Sequence, residues 1–94
     1  MSEAPALSRH DHVEINPLYM FRWEESQDAH VLLYPEGVVK LNPTAGAILE
    51  RVSKGVSIGE LIVDLEKQYV DGDVAAGVLE FLEVSHAKGW IRRK

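Results

Sequence analysis

The chain has 94 residues, a formal net charge of −5 and no cysteine. This length predicts a single domain, and 46% apolar with 27% charged residues predicts a folded rather than a disordered one. The missing cysteine excludes disulfides, thiol catalysis and thiolate metal sites. The acidic balance argues against nucleic-acid binding. With no signal peptide and no membrane-length apolar segment, we expect a cytoplasmic protein without membrane contact.

The first twelve residues contain Pro5 and small residues without a sustained period, so residues 1–12 are predicted to form a flexible arm and residues 13–94 the single domain. His10, Asp11 and His12 end this arm and offer ligand types that a metal ion uses. No further histidine lies close in sequence, and ordering a flexible arm around an ion costs chain entropy. We therefore expect a polar segment and no bound metal.

Three apolar runs follow the arm, and short polar turns separate them. Alternating apolar residues and β-branched side chains are typical of strands. The predicted strands are Leu18–Glu24, Ala29–Tyr34 and Val38–Leu41. Connections this short join antiparallel neighbours, so the sequence predicts a three-stranded antiparallel β-meander with the second strand in the centre.

The third strand runs directly into a helix. Asn42 is placed to accept hydrogen bonds from the first helical turn, and Pro43 at the first helical position gives up no useful donor. Gly46 inside this helix costs about 1 kcal/mol relative to alanine. Two interpretations stay open for it, simple tolerance of the glycine or the close approach of another backbone.

Helical periodicity and cap residues predict three helices. The first runs from Pro43 to about Val52, and the second begins with a capping box of Ser57 and Glu60. The third runs from Val74 to about Lys88 and is apolar over more of its girth than one core-facing stripe requires. Such a helix is either buried on several sides or offers a second face to a partner.

A catalytic constellation is missing from the sequence. The carboxylates fall in turns, caps and helix faces, no glycine-rich phosphate loop is present, and no nucleophile has a base at a suggestive spacing. We therefore expect a protein that is not an enzyme and that carries no cofactor.

The run Pro35-Glu-Gly-Val-Val-Lys-Leu-Asn-Pro-Thr-Ala-Gly-Ala-Ile-Leu49 resembles the signature of the PqqD family of pyrroloquinoline quinone (PQQ) biosynthesis. The resemblance extends from Leu18 to Ile91. It implies an α+β fold in which the β-meander is followed by a three-helix bundle, similar to a winged helix-turn-helix. It also implies a peptide chaperone that binds the precursor peptide PqqA and presents it to the radical-SAM enzyme PqqE. The alternative is a winged-helix-like regulator or a general protein-interaction module.

A peptide site follows from the predicted topology and from the resemblance. The third strand would be an edge of the sheet with a single charge, Lys40, so an extended peptide can add beside it. The resemblance places the peptide between this strand and the third helix. The predicted peptide-binding residues are Val38, Val39, Lys40, Leu41, Val74, Val78, Leu79 and Leu82. The free edge and the wide apolar helix also predict a weak homodimer in the absence of peptide.

Overall fold

The computed structural model describes residues 6–69 and 72–94, which form five strands, three helices and a 3₁₀ turn at Glu25–Gln27. The strands are β1 (Val13–Ile15), β2 (Met20–Glu24), β3 (Ala29–Tyr34), β4 (Gly37–Lys40) and β5 (Ile91–Arg93). The helices are α1 (Pro43–Ser53), α2 (Ile58–Gln68) and α3 (Val74–Ala87). The predicted α+β class, with antiparallel sheets and three helices, is confirmed.

The larger sheet has three antiparallel strands in the order β2-β3-β4. Its register pairs Arg22 with Val31 and Val31 with Lys40. The predicted first strand begins two residues late, because Asn16 forms a turn in which its Oδ1 accepts from the amide of Leu18 and its carbonyl accepts from Tyr19. This polar side chain satisfies the backbone locally and delays the start of the ladder.

The smaller sheet pairs β1 with β5, and the sequence did not predict it. Each strand has only three residues, which is too short to give a clear alternating pattern. Val13 and Ile91 point into the core and are buried, whereas Arg92 forms an exposed ion pair with Glu14, 2.6 Å from Nε to Oε2. The basic residues Arg92 and Arg93 near the end of the sequence are therefore part of a sheet.

Residues 6–12 of the predicted flexible arm pack on the helices. Leu7 is buried, and the carbonyls of Arg9 and Asp11 accept hydrogen bonds of 2.9 Å from the amides of Gly59 and Ile58 at the start of α2. These carbonyls satisfy helix N–H groups that have no partner inside the helix. The described part of the arm is thus attached to the domain, while residues 1–5 lie outside the described residues.

The core lies between the inner face of the larger sheet and the three helices, with the smaller sheet closing one side. Its largest fully buried side chains are Leu32, Ile48, Leu49, Ile58, Leu61, Ile62, Leu65, Leu82, Ile91, Val13 and Val52. Every helix contributes to this set, so burial of apolar surface holds the helices and sheets together.

Candidate functional site

Strand β4 has a free edge. Within residues 6–69 and 72–94 it pairs with β3 on one side and with no strand on the other. The amide of Leu41 donates to the carbonyl of His30 at 3.0 Å, so Leu41 and His30 form a hydrogen-bonded pair. Such pairs alternate along an antiparallel ladder. Val39 therefore bonds towards β3, and the main-chain groups of Val38 and Lys40 point to the free edge.

The side chains of this strand alternate between two environments. Val38 is 58% exposed and lies with Lys40 on the outer face of the sheet, around a shallow cavity that Leu33 also lines. Val39 is half-buried, and Leu41, just after β4, is buried in the core. Of the four predicted edge residues, Val38 and Lys40 thus present their main-chain groups to the free edge. The side chains of Val39 and Leu41 point inward.

The junction after β4 is fixed by the predicted cap. The Oδ1 of Asn42 accepts from the amide of Ala45 at 2.7 Å, and the carbonyl of Asn42 accepts from Gly46 at 2.9 Å. Pro43 occupies the first helical position, where its missing N–H costs nothing. The direction of α1 is therefore set by the residue that ends β4, so the strand edge and the first turn of α1 are held in fixed relation.

An apolar groove with a volume of about 290 Å³ lies beside this first turn. It is lined by Asn42, Thr44, Ala45, Ile48, Leu65, Tyr69, Val74, Gly77, Val78 and Phe81. We call it the apolar groove. One wall is the start of α1, the opposite wall is the first half of α3, and the end of α2 closes it. Because Asn42 belongs to the lining, the groove begins two residues after the end of β4.

The four predicted residues of α3 are divided between groove and core. Val74 and Val78 line the apolar groove, although Val78 is itself mostly buried. Leu79 is half-buried and lies outside the groove lining, and Leu82 is completely buried. Leu82 and Leu41 therefore act as core residues.

Eight of the ten groove residues were absent from the predicted site, among them Thr44, Tyr69 and Phe81. Phe81 lies three residues after Val78 and seven after Val74, a spacing that places all three on one helix face. That signal was present in the sequence. Tyr69 follows the last turn of α2, and only the packing of α2 against α3 brings it to the groove.

His30 explains the glycine inside α1. A Cβ atom on Gly46 would lie 2.7 Å from the Nδ1 atom of His30, closer than a Cβ atom approaches a side-chain atom of another residue. His30 stacks on Phe21 with ring centroids 4.9 Å apart and meets the edge of Trp23 at 5.1 Å. Of the two open interpretations, close approach is the correct one, but a side chain rather than a backbone approaches. The sheet thereby packs tightly on α1.

Residues 6–69 and 72–94 contain no cluster of three or more metal-ligand side chains. Asp11, from the histidine-containing segment, instead accepts a hydrogen bond of 2.9 Å from the amide of Ser8 and lies 3.6 Å from the Nε of Arg93. The backbone hydrogen bond from Ser8, followed by the charge of Arg93, lowers the pKa of this carboxyl below its ordinary value. Asp11 thus serves to attach the arm to β5.

Comparison with known proteins places these features in a family. The family described as coenzyme PQQ synthesis protein D (PqqD) matches residues 29–91, which include β3, β4, all three helices and the first residue of β5. The chain belongs to the PqqD family. The resemblance seen in the run from Pro35 to Leu49 is thereby confirmed.

Relatives from two bacteria match most of the chain. A protein of Azotobacter vinelandii named PqqA binding protein is 46% identical over 74 residues, which are 78% of this chain and 80% of the relative. A protein of Methylococcus capsulatus with the same name is 40% identical over 80 residues, 85% of this chain and 86% of the relative. Family membership therefore does not depend on a local motif.

A solved structure has a similar fold. The solution NMR structure of the PqqD truncation of Methylobacterium extorquens PqqCD has a TM-score of 0.73 and is 27% identical, covering 94% of this chain and 96% of that chain. It is described as a functional, stand-alone recognition element for ribosomally synthesized and post-translationally modified peptides. In the described part of the present PqqD-family chain, no helix has the length and apolar character needed to cross a bilayer.

Proposed function

We propose that this chain is a non-catalytic recognition domain of PQQ biosynthesis that binds the precursor peptide PqqA by strand addition to β4. The observation that carries the proposal is the position of the apolar groove just after the free β4 edge, since Asn42 follows the strand, caps α1 and lines the groove. Main-chain groups of an extended peptide can bond to Val38 and Lys40, which gives affinity with little sequence demand. The names of the relatives support PqqA as the peptide.

Specificity comes from the apolar groove in this proposal. Val74, Val78 and Phe81 form a wall that accepts apolar or aromatic side chains of the bound peptide. A peptide lying along β4 reaches this wall because the strand ends where the groove begins. The predicted site is thus retained for the edge of β4 and for Val74 and Val78, with Phe81 and Thr44 added to it.

Titration of ¹⁵N-labelled protein with PqqA tests the proposal. We expect the largest amide shifts at Val38 and Lys40 and along the groove face of α3. A PqqA peptide with a scrambled sequence is the matched control, because it keeps the length and charge. Shifts confined to the segment before His12 would refute strand addition at β4.

We also propose that the bound peptide is presented to the radical-SAM enzyme PqqE. In this arrangement the domain covers one edge of the peptide and leaves the other accessible to the enzyme. A turnover assay with PqqE, PqqA, S-adenosylmethionine and a reductant checks this: cross-linking should depend on added domain and saturate at one domain per peptide. An equal rate without the domain would show that presentation is not its role.

The winged-helix-like arrangement is retained as part of this proposal, without a DNA-binding role. Glu80 and Glu83 lie on α3, which would be the recognition helix of such a fold, and the chain is acidic overall. Reading bases in the major groove uses mainly Arg, Lys, Asn and Gln side chains. A salt-dependent complex with duplex DNA at micromolar concentration would favour the regulator instead.

A weak homodimer in the absence of peptide is a further part of the proposal. Val84 on α3 is exposed, and Leu79 and Phe81 are only half-buried, so this helix is not completely covered by its own domain. Sedimentation velocity over a concentration series should show reversible dimerisation that PqqA suppresses. A monomer at every concentration would contradict it.

A further inference from the structure

A second groove lies along α2 and shares no lining residue with the apolar groove. It has a volume of about 600 Å³ and lies between the described part of the arm, the end of α1 and the length of α2. We call it the basic groove because Arg9, Arg51, Lys54 and Lys67 line it. Four of the ten lysine and arginine residues of an acidic chain therefore meet at one surface.

The two carboxylates of this groove are already engaged. Asp64 forms an ion pair with Arg51, whose guanidinium also donates to Gln68 and to the carbonyl of Ala47. Glu60 belongs to the capping box of α2, where its Oε1 lies 3.1 Å from the Oγ of Ser57. The lining therefore keeps an excess of positive charge, with four cations against two carboxylates.

The three remaining cations surround the groove on separate elements. Lys54, which follows α1 as its C-cap, has a 66% exposed side chain and forms an ion pair with Glu50 of that helix at 3.7 Å. Arg9 is held by its carbonyl, which accepts from the amide of Gly59 at 2.9 Å. A Cβ on Gly59 would lie 3.1 Å from that oxygen, so this glycine allows the arm to approach α2. The position of Arg9 beside the groove is thus built into the fold.

The floor of the basic groove is apolar. Val56 and Leu61 line it, and Val63 is 49% exposed beside them. Cations around an apolar floor fit a protein segment that combines carboxylates with aliphatic side chains. A nucleic-acid backbone fits less well, because its charged phosphates and sugars do not cover an apolar floor as aliphatic side chains do.

We infer that the basic groove docks an acidic segment of a partner protein, at a site separate from the apolar groove. Charge complementarity identifies the class of partner, since a cationic surface on an acidic protein favours an anionic one. Because the two grooves share no residue, a partner held here leaves the edge of β4 open. This surface goes beyond the proposed peptide recognition and does not depend on it.

The test uses a labelled peptide of alternating glutamate and leucine, with a peptide carrying glutamine in place of glutamate as its control. We expect saturable binding of the acidic peptide alone, weakened when NaCl rises from about 50 mM to about 300 mM because the Debye length shortens. Equal binding of the glutamine peptide would overturn the inference, as would competition by an excess of PqqA.

Charge-reversing substitutions test whether the acidic peptide binds at the basic groove. We expect Lys54→Glu with Lys67→Glu to weaken binding of the acidic peptide about tenfold or more. Lys88→Glu is the control for the single variant Lys67→Glu, because both change the net charge equally. Lys88 lies outside the groove, 5.6 Å from the ring of Trp90. An equal loss with Lys88→Glu would mean that net charge alone attracts the peptide.

Two further ligands distinguish an acidic protein segment from a phosphate-containing ligand as the occupant of the basic groove. Inorganic phosphate should compete with the acidic peptide only through ionic strength, as a matched concentration of NaCl does. A labelled single-stranded oligonucleotide should bind more weakly than the acidic peptide. Stronger binding of the oligonucleotide, or specific competition by phosphate, would replace the proposed protein partner with a phosphate-containing ligand. Circular dichroism of each variant confirms that the fold is retained.

Discussion

The two antiparallel sheets of this domain protect their edges in different ways. The sheet of β1 and β5 has strands of three residues, with exposed charges on Glu14 and Arg92 and buried Val13 and Ile91 beneath them. Short strands and charged side chains discourage pairing with another chain. The sheet of β2, β3 and β4 ends instead in a longer edge that carries one charge, Lys40, beside exposed Val38.

Under the proposed function, this difference assigns stability to the smaller sheet and peptide recognition to the larger one. The smaller sheet joins the two ends of the chain and contributes buried side chains to the core, so its role is to close the fold. The larger sheet contributes the core through β3 and leaves β4 available for pairing. Substitutions in the smaller sheet should therefore change stability, whereas substitutions at the β4 edge should change binding.

Ile91→Ala has the largest expected effect. Ile91 is fully buried in β5, and truncating such a side chain costs about 2–5 kcal/mol of unfolding free energy. Urea denaturation measures the loss, and the affinity of the folded fraction for PqqA should not change. Arg92→Ala is the control in the same strand, with an expected cost of at most about 1 kcal/mol because its ion pair is exposed. Equal stability of Ile91→Ala and wild type would show that β5 does not close the core.

Gly46→Ala tests how the larger sheet packs on α1. The added methyl group would meet His30, and overpacking costs about 1–3 kcal/mol against a gain of about 1 kcal/mol in helix propensity. We expect a net loss of stability in thermal and urea unfolding. In a His30→Ala background the loss should become smaller, because the imidazole is removed and only the Cβ of residue 30, 3.2 Å from the added methyl group, remains. A loss of equal size in both backgrounds would contradict the assigned contact.

Val38→Pro tests the free edge of β4. It removes an N–H that points away from β3, so the ladder of the sheet is retained. The loss of one hydrogen bond, worth about 0.5–1.5 kcal/mol, should weaken PqqA binding about two- to tenfold. Isothermal titration calorimetry measures the change, with Val38→Ala as the control for the side chain.

Val39→Pro is the contrasting variant in the same strand. The amide of Val39 points to β3, so proline there should lower stability by breaking the ladder. The strand edge is wrongly assigned if Val38→Pro binds as tightly as Val38→Ala while remaining folded.

Asp11→Asn has the smallest expected effect, on the attachment of the arm to the smaller sheet. The folded-state pKa of Asp11 is lowered, so its contribution is complete above the ordinary value of 3.8 and is lost as the pH falls through the folded-state value. Hydrogen exchange should show a less protected Ser8 amide in the variant at neutral pH. Protection in wild type should fall on acidification, and an arm unaffected by either change would contradict this attachment.

Much of the fold could be predicted because its signals are local. The Asn42 cap, the Ser57 and Glu60 capping box and the Asp73 cap each form within one helical turn, so the residues that specify a helix start are adjacent in sequence. The three longer strands have short connections, which limited their arrangement to an antiparallel sheet. For the same reason the β4 edge was predictable as part of the candidate site.

The tertiary structure alone decided the rest, because the residues concerned are distant in sequence. Glu14 and Arg92 form an ion pair although 78 residues separate them in sequence. Arg9 lines the basic groove with Lys54 and Lys67 only because the arm packs on α2. Which apolar residues of α3 line a groove and which enter the core was equally undetermined, since Val78, Phe81 and Leu82 all satisfy one helical pattern. Helical spacing places a residue on a face of its own helix, and only packing against α1 and α2 decides whether that face is covered.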